Sequence, residues 1–188
     1  MTANATPPRW AFDTERGKIS FSVRHMVVSK AQGTFTRWGG TIDYDDSDPE
    51  RSSFKVTIDA ASVETEDASR DTYLKSADFF DVGTFPELVF TSTRVERDGR
   101  RLRVTGMLTI RNVTRAVTLD VPRRAPTGRG APGDRVRFTA DTVVDRKAFE
   151  LRFGQVPDVA GVAVGNKIEV SIAVELVRAD EPPRGPYG

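Results

Sequence analysis

The chain has 188 residues, enough for one domain with a sizeable core. Its 28 Lys plus Arg stand against 27 Asp plus Glu, and a net charge of +1 excludes the basic excess of a dedicated nucleic-acid binder. Cysteine is absent and His25 is the only histidine, so disulfides, thiolate nucleophiles and multi-histidine zinc sites are excluded within one chain.

Residues 1–8 read as a flexible N-terminal segment, and residues 10–13 as a short first strand. Residues 18–28 alternate: Ile19, Phe21, Val23, His25 and Val27 on one side, Lys18, Ser20, Ser22 and Arg24 on the other. Period-two alternation marks a strand with one dry and one wet face. Residues 33–44 are strand-like but less regular, and Gly39-Gly40 predicts a bulge or sharp coil within them. A polar loop follows at Asp45-Asp46-Ser47-Asp48-Pro49. Residues 53–61 restore the alternation with Phe54, Val56, Ile58 and Ala60.

Residues 65–81 break it. Thr65 is predicted to cap a helix with Glu66 and Asp67 in its first turn, and Ser76 to cap a second short turn carrying Phe79 and Phe80. Pro86 ends the irregular stretch. Asp98-Gly99 predicts a hairpin between residues 88–96 and 101–111, the latter with Leu102, Val104, Gly106, Leu108 and Ile110 on its dry face. Asn112 is expected to take the left-handed conformation at the next turn. Further ladders are Val117, Leu119, Val121; Val136, Phe138, Ala140, Thr142, Val144; and Ile168, Val170, Ile172, Val174, Leu176. In the last ladder Lys167, Glu169, Ser171 and Glu175 form the wet face. Residues 126–133 read as a hairpin loop, and residues 179–188 as a disordered tail.

Eight or nine one-sided strands must close or double over to hide their dry face. Consecutive hairpins favour closure. The fold class expected is all-β: an antiparallel up-and-down barrel of about eight strands with one short helical crossover. Such an interior is either filled by side chains or holds one ligand, and parity alone does not choose.

Several blocks carry a family resemblance. Ile19-Ser20-Phe21-Ser22-Val23-Arg24-His25-Met26-Val27-Val28-Ser29 is the first. Arg70-Asp71-Thr72-Tyr73-Leu74-Lys75-Ser76-Ala77-Asp78-Phe79-Phe80-Asp81 is the second, followed by Phe85-Pro86-Glu87-Leu88-Val89-Phe90-Thr91-Ser92-Thr93. Gly106-Met107-Leu108-Thr109-Ile110-Arg111-Asn112-Val113-Thr114-Arg115-Ala116-Val117 and the strand after Val164-Gly165-Asn166 complete them. In this order they resemble the YceI-like family over residues 10–178. The resemblance implies a lipocalin-like barrel over residues 9–178 with an elongated apolar cavity. It also implies polyisoprenoid ligands, such as polyprenyl diphosphates or isoprenoid quinones, and pairing into homodimers. Three departures stand out: Arg16-Gly17 where the family usually has His-Ser, and Asn112 and Glu150 where it usually has glycine.

On this reading the lipid tail lies against Phe21, Val23, Val27, Phe54, Val56, Leu108 and Phe138. His25, on the dry parity, is either a hydrogen-bonded core histidine or the polar contact to a quinone oxygen or diphosphate. Arg70 and Lys75 either hold the crossover, with Asp71 and Lys75 as an i,i+4 pair, or greet an anionic head group. Phe79 and Phe80 plug one end and reach the lipid. Arg111, Arg115, Arg123, Arg124 and Arg129 read as solvated loop residues, with docking on an anionic membrane surface as the sharper alternative.

The expected function is non-enzymatic binding, storage or transport of a long-chain amphiphilic lipid, with no catalytic residue, cofactor, metal or nucleic-acid partner. The alternatives are a lipid-modifying enzyme using His25 as acid or base, and a filled barrel serving dimerisation. Many relatives carry signal peptides; the N-terminal residues here lack a basic and an apolar region, so a cytoplasmic location is expected.

Overall fold

Period-two residues become strands wherever the chain can pair them, and the pairing carries the sheet around on itself. A computed structural model describes residues 9–25, 29–122, 135–151 and 164–179, with Arg9, Arg24, His25, Ser29, Val164 and Ala179 described in backbone only. The expected hairpin loop at 126–133, the tail beyond residue 179 and the N-terminal eight residues lie outside these ranges.

Eleven strands occur among the described residues. They are β1 (Arg9–Phe12), β2 (Lys18–His25), β3 (Ser29–Phe35), β4 (Trp38–Asp43), β5 (Ser53–Asp59), β6 (Val63–Glu64), β7 (Glu87–Asp98), β8 (Arg101–Ile110), β9 (Val113–Pro122), β10 (Arg135–Asp145) and β11 (Val164–Ala179). All pairings between them are antiparallel, in the order β4-β5-β7-β8-β9-β10-β11-β2-β3-β6. β1 and β2 share one edge of β11: Phe12 faces Leu176 and Ile19 faces Ile172.

The stretch expected as one strand at 33–44 is two. The chain breaks at Thr36-Arg37, so β3 stays with β2 while β4 crosses to β5. The Thr36 N–H donates to the Ser62 carbonyl at 3.1 Å and the Asp59 N–H to the Arg37 carbonyl at 3.0 Å, so the kink costs no backbone bonding. β3 and β4 thus join the two ends of the strand order through one bent strand. Counting β1 with β2 and β3 with β4, and setting the two-residue β6 aside, reduces eleven strands to eight staves. β1 packs beside β4, with Trp10 edge-on to Tyr44 at 5.5 Å and Phe12 to Trp38 at 5.8 Å.

The helical crossover is present as α1 (Ala68–Lys75). Its N-cap is Asp67, not Thr65: the Asp67 carboxylate accepts from the Arg70 N–H at 2.9 Å. That bond foremost, with the Arg70 charge and the Ser69 N–H, holds the carboxyl below the usual carboxylate range. Thr65 instead binds Asp71, one turn inside the helix. Ser76 closes α1 and its hydroxyl accepts from the Asp78 N–H at 3.3 Å, forming the turn that carries Phe79 and Phe80.

Two turn expectations change. At the β8–β9 hairpin the left-handed residue is Arg111 (φ 55°), not Asn112. Gly39-Gly40 is no bulge: β4 and β5 stay in register from Trp38 to Asp43. Gly40 serves close approach, since a Cβ there would stand 2.2 Å from the Lys55 carbonyl oxygen. The register shifts fall at Ser92–Arg94 in β7 and Val164–Ile168 in β11. The Asp98-Gly99 hairpin forms as expected, with Gly99 at φ 58° and Asp98 opposite Arg101.

Candidate functional site

The inward parity of the ladders encloses a cavity of about 280 Å³ with an almost wholly apolar lining. Phe54, Val56, Leu108, Val117, Phe138, Val170, Ile172 and Val174 line it and are only partly buried although they face inward. In a filled barrel these side chains would be fully covered. Their remaining accessibility is the wall of a lumen, which speaks against the filled-barrel reading.

One end is closed by the crossover. Leu74, Phe79 and Phe80 are buried there, with the two phenylalanine rings edge-on at 4.9 Å and Phe80 against Phe35 at 5.9 Å. Arg111 backs this plug. Its guanidinium lies 5.6 Å from the Phe85 ring centre, and Nη1 donates to the Phe79 carbonyl at 3.4 Å. Arg111 is therefore half-buried packing, not a solvated loop residue; Arg115 is exposed, and Arg123, Arg124 and Arg129 lie outside the described residues.

At the other end Tyr44 stands between Trp10 and Phe138, 5.4 Å from the latter, with its hydroxyl donating to Asp46 at 3.2 Å. Burial, then the adjacent Asp46 carboxylate, pushes the phenol up to about 12. The loop beside it is built on Asp45, whose Oδ1 accepts from the Ser47 hydroxyl and from the Ser47 and Asp48 N–H groups. These bonds, the Ser47 hydroxyl foremost, hold the Asp45 carboxyl below the usual range.

Nine of the residues singled out from the sequence line the cavity: Phe21, Val23, Phe54, Val56 and Leu108 along the wall, with Phe138, Arg70, Phe79 and Phe80. Lys75 does not; it lines a polar cleft that shares Ser20, Phe21, Ala31, Gln32, Thr65 and Arg70 with the lumen. His25 pairs with Ser29 and Val164 through its backbone, but its side chain, and the whole of Val27, lie outside the described residues. Arg70 is half-buried and anchored, its Nε donating to the Thr65 hydroxyl and Nη2 to the Thr65 carbonyl, both at 2.8 Å. The Asp71 carboxylate turns to Thr65, so the expected i,i+4 pair with Lys75 is not what holds it.

The sequence reading passed over one cation at the lumen. Arg146 is 8 % exposed, lines the cavity, and donates to the Gly165 and Leu151 carbonyls at 3.0 Å each. Burial lowers its pKa, opposed in part by Asp145. It sits two positions beyond Val144 on the same inward parity, and that continuation was the available signal. Glu175, expected on the wet face, is only 4 % exposed: Arg135 and Arg137 fold over it, and Asp13 joins through Arg135. Those guanidiniums, Arg135 first, hold its carboxyl below the usual range, and Arg135 is raised in return.

No group of three or more His, Cys, Asp or Glu able to hold a metal occurs among the described residues, and no helix among them is long and apolar enough to cross a membrane.

A curled antiparallel sheet around an apolar lumen, with a helical crossover plugging one end, defines a lipocalin-like fold. The chain belongs to the YceI-like family: the model of the YceI-like domain matches residues 10–176. Protein YceI of Salmonella newport is 32 % identical over 179 residues, covering 94 % of this chain and 91 % of that protein. Among solved structures, Burkholderia cenocepacia BcnA superposes with a TM-score of 0.74 at 24 % identity, covering 87 % of this chain and 98 % of that one. The Campylobacter jejuni YceI protein gives 0.70 at 28 % identity, covering 84 % and 90 %. A polyisoprenoid binding domain from Saccharophagus degradans gives 0.68 at 13 % identity, covering 92 % and 99 %.

Proposed function

We propose that this protein binds and carries a long-chain amphiphilic lipid of the polyisoprenoid type, such as a polyprenyl diphosphate or an isoprenoid quinone, without transforming it. The observation that carries the reading is the lumen itself, apolar along its walls and bordered by a polar cleft. An alkyl or prenyl tail gains about 0.8 kcal/mol for each buried CH₂-sized group, so such a wall holds it with few polar contacts. The polyisoprenoid binding of the Saccharophagus degradans domain, which shares the fold, supports the same class of ligand. Arg70 and Lys75 in the cleft are the groups we assign to the head.

An enzyme reading needs a carboxylate beside His25; among the described residues the lumen lining includes no Asp or Glu, while the adjoining cleft includes Glu64, Glu66, Asp71 and Glu169. The test is native mass spectrometry of the purified protein, followed by uptake of prenyl lipids. Protein that is always empty and takes up none overturns the proposal. Turnover of a bound lipid that His25→Ala abolishes would favour the enzyme instead.

A further inference from the structure

We propose that Phe21, seated against Gly33, sets the cross-section of the lumen where it meets the polar cleft, and so selects between methyl-branched and straight lipid chains. This rests on the lumen reading above. Phe21 of β2 and Gly33 of β3 are directly paired across the two strands. The tip of the ring lies over the glycine: a Cβ on Gly33 would stand 2.4 Å from Phe21 Cζ and 2.9 Å from Cε1. Phe21 lines both the lumen and the cleft, whereas Gly33 lines the cleft alone, so the ring is the partition at this point. On its other side the ring meets Phe35 at 5.6 Å. The missing side chain at position 33 therefore makes a notch that draws the ring back into the barrel wall.

Filling the notch leaves the ring one way to move, because the strand backbone stands behind it: into the lumen. Thr65 Cγ2, 2.8 Å from the same Cβ position, walls the notch on another side and is itself tied to Arg70 and Asp71, so the ring is the neighbour that yields. A second ring is seated in the same way, Phe90 over Gly106. There, however, the Thr91 carbonyl stands 2.6 Å from the Cβ position, so a substitution would strain the strand as well. At Gly33 the close atoms are all side-chain atoms, with the Phe21 ring nearest, so the strand backbone is spared. An isoprenoid chain carries a methyl branch on every unit and needs a wider passage than a linear alkyl chain.

The experiment compares geranylgeraniol with hexadecan-1-ol, matched in main-chain length and head group, by displacement of a fluorescent lipid. Wild-type protein binds both. Gly33→Ala weakens geranylgeraniol by about tenfold relative to hexadecan-1-ol, the scale on which a pocket discriminates a methylene. Phe21→Leu, which leaves the Gly33 backbone untouched, shifts the ratio towards the branched chain. The double variant returns to the wild-type ratio, which also controls for a folding defect in Gly33→Ala. A ratio unchanged in both single variants, with wild type binding normally, overturns this inference alone. Wild type that takes up neither alcohol nor any prenyl lipid overturns the lumen reading and this inference with it.

Discussion

Thr65 and Asp71 are joined twice: the Thr65 hydroxyl and backbone N–H both donate to Asp71 Oδ1, at 2.5 and 2.8 Å. Thr65 is 5 % exposed, and Arg70 grips its hydroxyl and carbonyl from the other side. The contact fastens the first turn of α1 to the end of β6, and so fixes where the Phe79–Phe80 plug enters the lumen. Asp71→Ala leaves a buried N–H without its acceptor, a loss of about 1–3 kcal/mol. Denaturant unfolding should show that loss, and Asp71→Asn, which keeps one acceptor oxygen, should recover part of it. Equal stability of Asp71→Ala and wild type would remove the anchor role.

The Glu175 cluster gives the fold an acid-sensitive joint. Its folded pKa lies below that of the unfolded chain, near 4.3. The stabilisation is therefore complete above the unfolded value and is lost as pH falls through the folded one. The melting temperature should drop below about pH 4, and Glu175→Gln should lower it at neutral pH while flattening the acid branch. The Arg135 and Asp13 contacts tie the β1–β2 connection to β10, so hydrogen exchange in residues 9–17 should rise first.

Tyr44 makes the opposite prediction in alkali. Its folded pKa of about 12 lies above the unfolded value near 10. The native state favours the neutral phenol, so this contribution is intact below the unfolded value and lost as pH rises through the folded one. A spectrophotometric titration should show one tyrosine ionising late, and Tyr44→Phe should remove that late phase. A titration in which every tyrosine ionises together near its ordinary value would contradict the buried, Asp46-bonded hydroxyl.

Glu150 holds a left-handed backbone (φ 59°), with its N–H donating to the Lys147 carbonyl at 3.0 Å. That conformation costs a non-glycine residue roughly 1–2 kcal/mol, and glycine loses part of the advantage through its freer unfolded state. Glu150→Gly should therefore stabilise the protein by about 0.5–1 kcal/mol, read as a rise in melting temperature. The side chain is exposed, so little packing is at stake. A destabilised Glu150→Gly would show that the carboxylate has a partner outweighing the backbone strain.

Which side chains face the lumen is legible from alternation in the chain. Ile19, Phe21 and Val23, or Phe138, Ala140 and Val144, sit on one side because pleating is a local property that repeats every second residue. The Asp98-Gly99 hairpin is legible in the same way, since Gly99 takes its positive φ without a Cβ penalty. Contacts between elements set the rest. The break at Thr36-Arg37 is held by Ser62 and Asp59, and no pattern within residues 33–44 announces it. Parity pointed Arg146 inward, but its burial and that of Glu175 depend on the Gly165 carbonyl and the Arg135 and Arg137 guanidiniums replacing their water. Thr65 does not cap α1: Asp67 stands directly before the helix, and Asp71 and Arg70 take the Thr65 hydroxyl. An open rather than filled lumen likewise depended on how all eight staves close around it, and on glycines such as Gly33 that hold a ring against the wall.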